Sequence, residues 1–455
     1  MDLEALRTEL RGDILTPECP GYEGARRLWN GMIDRRPAAI VRCGNADDVA
    51  AAVRFAAREG LYPGVRAGGH NVAGLATLDD GLVIDVSQMK QITVDPIART
   101  ATCETGLTWG EFDAATQAYG LATTGGINST TGIAGLTLGG GVGWLMGRCG
   151  LTCDNTIAYS LITADGDQIT ANAMEHPDLF WALKGGGGNF GVVTSITYRL
   201  HPVGTVVSGM ILHPFARAGE VLRHYRDFVM AGVPDELTVF ATAIVSPDGV
   251  PLIAVIPAYT GSNLDEAARL LAPLRAVGRP VADLVAPMPY VSLQQMFDAA
   301  APFGIRSYWK STFLRTLSDD AIDTFVACVA ARPSSRTIVK LEHAHGAATR
   351  VASDAAAFPA RDHAFDLVVL SLWNDAKDDA RNVAWTRQFD SAMRPWSARL
   401  VYVNALAHDD GARVRDAYGD NYTRLATIKA KYDPANRFRQ NQNIAPAAIS
   451  SPPAR

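Results

Sequence analysis

The residues best placed to do chemistry lie in a short glycine-rich run. Arg66-Ala67-Gly68-Gly69-His70-Asn71, with Gly74 close behind, sets one imidazole among neighbours too small to cover it. A lone histidine is usually structural, but in a glycine loop it stays accessible to a ligand and can act as a nucleophile towards an electrophilic carbon. Segments 125–150 and 185–191 are equally rich in glycine. Glycine permits positive φ and lets main chain approach a ligand closely, and successive N–H groups can then converge on a phosphate. Any one segment is as well explained by tight turns and helix packing. Three in one half of the chain suit a ligand with a pyrophosphate and an extended body, and FAD is such a dinucleotide.

Gly186, Gly188 and Gly191 also satisfy G-x-G-x-x-G. A Rossmann site needs strand, glycines and helix in that order, with an acidic residue about 20 positions on. Here a helix precedes, a strand follows and the acidic residue is missing, which disfavours an NAD enzyme.

Candidate acid–base groups lie in the second half. In KLEHAHG, His343 and His345 share one face of a strand and Glu342 points to the other. In LVYVNAL, read as a strand, Tyr402 and Asn404 share a face. A base that takes a heteroatom proton eases oxidation of a C–OH or C–N bond. A tyrosine would need help from positive charge or hydrogen bonds, because its ordinary pKa is about 10. The histidine pair has no third ligand in view, and Cys149 and Cys153 alone do not make a zinc site, so no metal is expected.

The elements that must hold these groups can be read from caps and periodicity. Residues 45–60 form a helix capped by Asn45 or Asp47 and closed by Gly60, followed by short strands at LYPGVR and GLVIDV. A second capped helix covers 108–120, and the following glycine-rich stretch is a loop entering a short buried helix. NTIAYSLITADG is a strand, HPDLFWALKGGGG a helix with Pro177 in its first turn, and FGVVTSITYRL an alternating strand. From about 205 longer strands alternate with helices. GTVVSGMILHP reads as one strand, ARAGEVLRHYRDFVMAG as a helix, NLDEAARLLAPLRAVG as a helix capped by Asn263, and RTIVKLEHAHG, FDLVVLSLW and ARLVYVNAL as strands. The last fifty residues return to helix and then a polar tail. The fold class is α+β.

The chain has 455 residues and a net charge of −5, with 48% hydrophobic and 20% charged residues. That length suits two or three domains. With no basic run to neutralise phosphates, nucleic acid is not expected as a partner, and with no long apolar run no membrane span is expected. Six scattered cysteines read as reduced thiols, and the N-terminus lacks an apolar signal core, so cytoplasmic residence is the expectation.

Four segments together resemble a known family. PGVRAGGHNVAG (63–74) is similar to the flavin-attachment loop of the vanillyl-alcohol oxidase/p-cresol methylhydroxylase (PCMH) superfamily, in its berberine-bridge-enzyme-like branch. TGIAGLTLGGGVGWLMGRCGLTCDN (131–155), LKGGGGNFGVVTSI (183–196) and YDPANRFRQNQNIAP (432–446) resemble that branch's second loop, third loop and C-terminal signature, in family order. The resemblance implies a PCMH-type FAD-binding domain over 1–204, a substrate-binding domain over 205–405 with an antiparallel sheet backed by helices, and a segment 406–455 returning to the FAD domain. It implies FAD covalently linked through His70. Arg66, Ala67, Gly68, Gly69, Asn71 and Gly74 would line the first loop. Thr131, Gly132, Gly135, Gly139, Gly140, Gly141 and Gly143 would line the second. Asn189, Gly191 and Val193 would sit near the adenylate or pyrophosphate, and Asn441 and Asn443 would approach the ring.

Many relatives add a second link from a cysteine four residues before the glycine matching Gly132. Asn128 stands there, which implies one link and the monocovalent subgroup of the 6-hydroxy-D-nicotine oxidase type. Thr131 matches a position beside the oxygen-reactive face, where a small residue favours an oxidase over a dehydrogenase; alternatively it only caps the helix it opens. The implied activity is an FAD-dependent oxidoreductase that passes substrate hydride to flavin N5, with O2 reoxidation to hydrogen peroxide. Its substrate would be a small-molecule organic alcohol or amine, such as a secondary metabolite, and Tyr402, His343, Glu342 and Thr131 are the catalytic candidates. The alternatives are a flavin-dependent oxygenase or cyclase in metabolite tailoring and a flavin-binding protein without turnover.

Overall fold

Short strands and capped helices build the first half of the chain into two small sheets and a two-stranded ribbon, Leu121–Ala122 with His201–Pro202, seen in a computed structural model that describes residues 2–448. The first sheet runs Asp13–Leu15, Ala39–Arg42, Leu82–Asp85, Gly64–Arg66, and its last three strands are parallel. Helix Ala46–Arg58 packs on it. The Asn45 side chain accepts from the Asp48 N–H, and Val49, Val53 and Phe55 are buried with Val41 and Ile84 in one core. The parallel strand Gly64–Arg66 ends where the His70 loop begins, so the loop sits at a strand's C-terminal end.

The second sheet is antiparallel, in the order Ile92–Asp95, Thr100–Glu104, Val192–Arg199, Thr156–Ile162, Gln168–Asn172. Helix Trp109–Gln117 starts with a full capping box between Thr108 and Glu111. Its Phe112 meets Tyr198 edge-on at 5.3 Å between ring centroids, which ties the helix to the middle strand.

The second half forms a nine-stranded antiparallel sheet whose main path is Ala282–Asp283, Ile211–Pro214, Pro251–Tyr259, Leu237–Val245, Ile338–His343, Phe365–Trp373, Arg306–Leu314. Helices Ala218–Met230, Leu264–Arg275, Asp319–Ala330 and Asp379–Met393 cover one face over Val239, Val255, Leu341 and Leu367. The other face, with Phe240, Ile256 and Ile338, packs against Trp29 and Trp144 from the first half. Both faces are therefore buried, and any charged residue on the inner one must have a polar reason to be there.

Two strand readings fail. GTVVSGMILHP is two strands, Thr205–Ser208 and Ile211–Pro214, broken at Gly209. That glycine has φ +144°, and a Cβ there would lie 2.2 Å from the Leu284 carbonyl oxygen. ARLVYVNAL is irregular chain with one 3-10 turn at Val403–Ala405. Among the described residues no helix is long and apolar enough to cross a membrane.

Candidate active site

A cavity of about 350 Å³ lies between the glycine loops and the inner face of the large sheet. From the loops it is lined by Ala67, Gly68, Gly69, His70 and Asn71, by Thr131, Gly132, Gly135 and Gly139, and by Asn189, Gly191, Val193 and Asn441. Strand Ile338–His343 contributes Ile338, Lys340 and Glu342 to the opposite wall, and Tyr402 and Asn404 complete it.

Six of the expected cofactor-lining residues stand behind this wall. Arg66 turns towards Asp85, 3.8 Å away. Gly74 (φ +71°) faces Ile33, and Gly140 (φ +110°) faces Phe358. A Cβ on Gly141 would strike the Thr152 side chain at 2.2 Å, and one on Gly143 the Gly125 carbonyl oxygen at 1.8 Å. Asn443 is also outside the lining. Glycine at 140, 141 and 143 answers protein packing, the simpler of the two explanations for such a segment. Thr131 does not cap the helix it precedes: Gly132 holds the N-cap position, and Thr131 lines the cavity.

The loop end fits a polar, extended ligand. A Cβ built on Gly135 or Gly188 meets nothing within 4 Å, so both leave open space at the cavity wall. The Tyr418 hydroxyl and the Asn441 Oδ1 are buried there without a hydrogen-bond partner among the described residues. Buried polar atoms of this kind call for a partner, which a dinucleotide's phosphates, sugars and ring atoms can supply. Asn189 is fixed in place: its Nδ2 donates to the Gly186 and Gln442 carbonyls and its Oδ1 accepts from the Ile444 N–H, which joins the third loop to the C-terminal tail.

His70 faces the cavity with its ring stacked on Trp29, at 4.9 Å between centroids and 21° between planes. Its Nε2 lies 2.9 Å from the Thr130 hydroxyl. Burial pulls its pKa down to about 4, so the imidazole is neutral, the nucleophilic form, at physiological pH.

The acid–base groups divide by strand alternation. Glu342 lines the cavity and pairs with Lys340 at 2.5 Å. Asp366 lies directly across the strand pair from Glu342, and both its oxygens are buried without hydrogen bonds. Burial, and then the Glu342 charge, push its pKa well above the usual carboxylate range, so it is held protonated. His343 corrects an expectation: it points to the opposite, helix-backed side, against Phe365 at 5.6 Å, stacks on His345 at 5.0 Å, and does not line the cavity. Burial takes its pKa down to about 3.

Tyr402 reaches the cavity from irregular chain. Its oxygen accepts from the Gly141 N–H at 3.2 Å and from the Asn404 Nδ2 at 2.9 Å. Burial, which outweighs the Asn404 hydrogen bond, raises its pKa above the ordinary value. It is a neutral hydrogen-bond donor, unsuited to act as a base.

Several cavity residues escaped the sequence reading, among them Trp29, Trp309, Lys340, Tyr418 and Gln440. Lys340 had a usable signal. Lys340 and Glu342 alternate with Val339 and Leu341 on a strand flanked by neighbours on both sides, which marks a polar inner face. Trp29 and Trp309, whose rings meet at 5.6 Å, had none.

Residues 37–172 match the FAD binding domain family, and residues 401–445 match the berberine and berberine-like family. The chain is 33% identical to an FAD-linked oxidoreductase of Bacillus subtilis over 448 residues, covering 97% of this chain and 98% of that one. It is 30% identical to (R)-6-hydroxynicotine oxidase of Paenarthrobacter nicotinovorans, covering 96% and 97%. The crystal structure of 6-hydroxy-D-nicotine oxidase from Arthrobacter nicotinovorans superposes with a TM-score of 0.87 at 29% identity, covering 96% of this chain and 98% of that one. With the loops, the cavity and near-full-length similarity in agreement, this chain belongs to the berberine-bridge-enzyme-like FAD-linked oxidases of the vanillyl-alcohol oxidase/PCMH superfamily.

Proposed function

We propose that the protein holds FAD by one covalent bond, to His70, and oxidises a small organic alcohol or amine with Glu342 as the proton acceptor. The observation that carries this reading is one cavity with two unlike walls. One wall is glycine loop and C-terminal tail with unpartnered polar atoms, and the other carries a buried Lys340–Glu342 ion pair in an apolar surround. FAD, when bound, accepts the substrate hydride at N5 and passes the electrons to O2, giving hydrogen peroxide. We assign 1–204 and 406–455 to holding the cofactor and 205–405 to the substrate side.

The chain's own residues then act as follows. The His70–Trp29 stack holds the attachment point. Trp309, Phe297, Ile338 and Leu370 supply apolar surface for the substrate body. Tyr402 donates a hydrogen bond to the substrate heteroatom, and the Glu342 carboxylate, held in place by its pairing with Lys340, takes its proton. Protonated Asp366 behind Glu342 adds no second negative charge to the site. A carboxylate facing the cavity weighs against a flavin-binding protein without turnover. No cysteine lines the cavity among the described residues, which supports a single link. Six free thiols suit a reducing cytoplasm.

Purified protein should stay yellow after acid precipitation, and His70→Ala should release the flavin. A library of alcohols and amines screened anaerobically should contain a compound that bleaches the flavin and yields peroxide when air is admitted. A colourless protein, or flavin that leaves the wild type in acid, would reject the covalent reading. Bleaching that air does not reverse would reject the oxidase.

A further inference from the structure

A carboxyl at the head of an apolar row needs a polar partner, and Asp366 finds none in the protein. It precedes Val368 and Leu370 on the inner face of strand Phe365–Trp373. Phe313 lies directly across on one neighbouring strand and Glu342 on the other. Both Asp366 oxygens are buried without a hydrogen bond among the described residues. A second, small cavity of about 20 Å³ opens at this point, lined by Glu342 and Asp366 together with Phe313, Phe358, Ala348 and Thr349. A cavity of that size holds one water, provided the water meets about two to four polar partners. The two carboxyls supply them, and the Thr349 hydroxyl, which donates to the Gly346 carbonyl, keeps lone pairs to accept from a water. Glu342 also lines the main cavity, while the far side of the small one is bounded by the partly exposed Ala344, Thr349 and Ala360. The nearby charges are taken. Lys340 pairs with Glu342, Arg361 lies over Phe358 but pairs with Asp154, and His363 packs on Phe313 beside Asp362. Buried beside a second carboxylate, Asp366 keeps its proton. As an acid it can donate from one oxygen while it accepts at the other.

We propose that the small cavity holds a water between Glu342 and Asp366, and that this chain of groups carries the substrate proton out of the active site. The proposal rests on Glu342 as the proton acceptor and adds where the proton goes next. The substrate O–H or N–H bond breaks to Glu342, and its electron pair stays on the heteroatom as the C=O or C=N bond forms and the C–H pair leaves as hydride. Glu342 passes the proton to the water. The water passes one of its own to the bare oxygen of Asp366, and the Asp366 hydroxyl proton leaves to solvent at the Thr349 edge. Glu342 is then a carboxylate again and Asp366 an acid again, so no charge accumulates. The one proton released balances the one taken up when O2 becomes hydrogen peroxide. Asp366 stands outside the main cavity and acts through Glu342, as a positioning residue.

The first readout needs no substrate. Full-length, flavin-loaded protein is followed by infrared difference spectroscopy at pH 8, where Asp113, with its pKa of about 7, is largely ionised. Wild type should show a carboxylic-acid C=O band that Asp366→Asn removes and Asp113→Asn keeps. After a switch to D2O that band should shift as the acid proton exchanges through the cavity water. Ala348→Val puts methyl groups into the small cavity and should slow the shift about tenfold, the order expected when one hydrogen-bonded link is lost. Ala360→Val fills the cavity from its partly exposed side and should do the same; unfolding temperatures show which of the two filled variants folds well. The second readout uses the alcohol or amine selected by the anaerobic screen. In the filled variants, steady-state peroxide formation should slow more than the first bleaching of the flavin. No band lost in Asp366→Asn, exchange as fast in a folded filled variant as in wild type, or peroxide formation that keeps pace with bleaching overturns this inference alone. Flavin reduced as fast in Glu342→Gln as in wild type overturns Glu342 as the acceptor, and this inference with it.

Discussion

Replacing Glu342 by Gln removes the proposed base with almost no change of shape. Lys340 and Glu342 are 6% and 4% exposed, so the pair is buried and its partner charge has no water to turn to. Removing one member of a buried ion pair costs about 3–5 kcal/mol. The amide still accepts one hydrogen bond from Lys340, so the loss belongs at the lower end, about 3 kcal/mol. The rate effect is separate. A positioned general base contributes about 10²–10⁴-fold, so flavin reduction at saturating substrate should slow by at least about 100-fold. The assay is anaerobic stopped-flow bleaching with a substrate from the screen, alongside thermal unfolding. The double variant Lys340→Met/Glu342→Gln removes the stranded ammonium and should recover stability without recovering rate. Relief of the Glu342 charge also removes one of the two causes holding Asp366 protonated, so Asp366 should ionise at lower pH in the variant. A flavin-loaded Glu342→Gln protein that reduces within threefold of wild type would refute the assignment.

Tyr402→Phe strands two buried donors, the Gly141 N–H and the Asn404 amide, and removes a hydroxyl from the cavity; it should raise KM several-fold and cost about 1–3 kcal/mol of stability, with a smaller fall in kcat than Glu342→Gln. His343→Leu should leave kcat within threefold of wild type, because the ring packs away from the cavity, and a larger loss would return His343 to the candidates. Asp113 is buried with one hydrogen bond from Gln294, and burial outweighs that bond to raise its pKa to about 7. Its folded pKa is above its unfolded value, so its contribution is full below the unfolded pKa of about 4 and is lost as pH rises through 7. Across those roughly three pH units, at about 1.4 kcal/mol each, about 4 kcal/mol is lost by pH 8. Asp113→Asn should therefore raise the unfolding temperature at pH 8 and change it little near pH 4.

The parts of the fold that were legible are those governed by local chemistry. The caps at Asn45, Thr108 and Asn263 each act on the backbone within three residues, and each is formed. The ARLVYVNAL error has a specific cause. Val401 and Val403 sink into the core of the first half, while Tyr402 joins the core between the halves. The chain threads between two cores, and that alone gives an apolar alternation with period two. The Tyr402 N–H donates to the Ser311 side chain, not to a neighbouring strand. For strand Ile338–His343 the alternation was right, and His343 and Glu342 do lie on opposite faces. The alternation of Lys340 and Glu342 with Val339 and Leu341 marks which face is polar, but that this face meets a cavity and the other the four helices is set by tertiary packing. Trp29 reaches His70 only through tertiary contact, so neither its stacking nor its place in the cavity could be read from neighbouring residues.

The account stands on His70, and one measurement addresses it directly. Trypsin releases His70 in the peptide spanning 67–90. Intact yellow protein, digested and weighed, should give that peptide heavier by one FAD less two hydrogens, with fragmentation placing the added mass on the histidine. An unmodified peptide from fully yellow protein, or the same mass on any other peptide, would contradict the central claim.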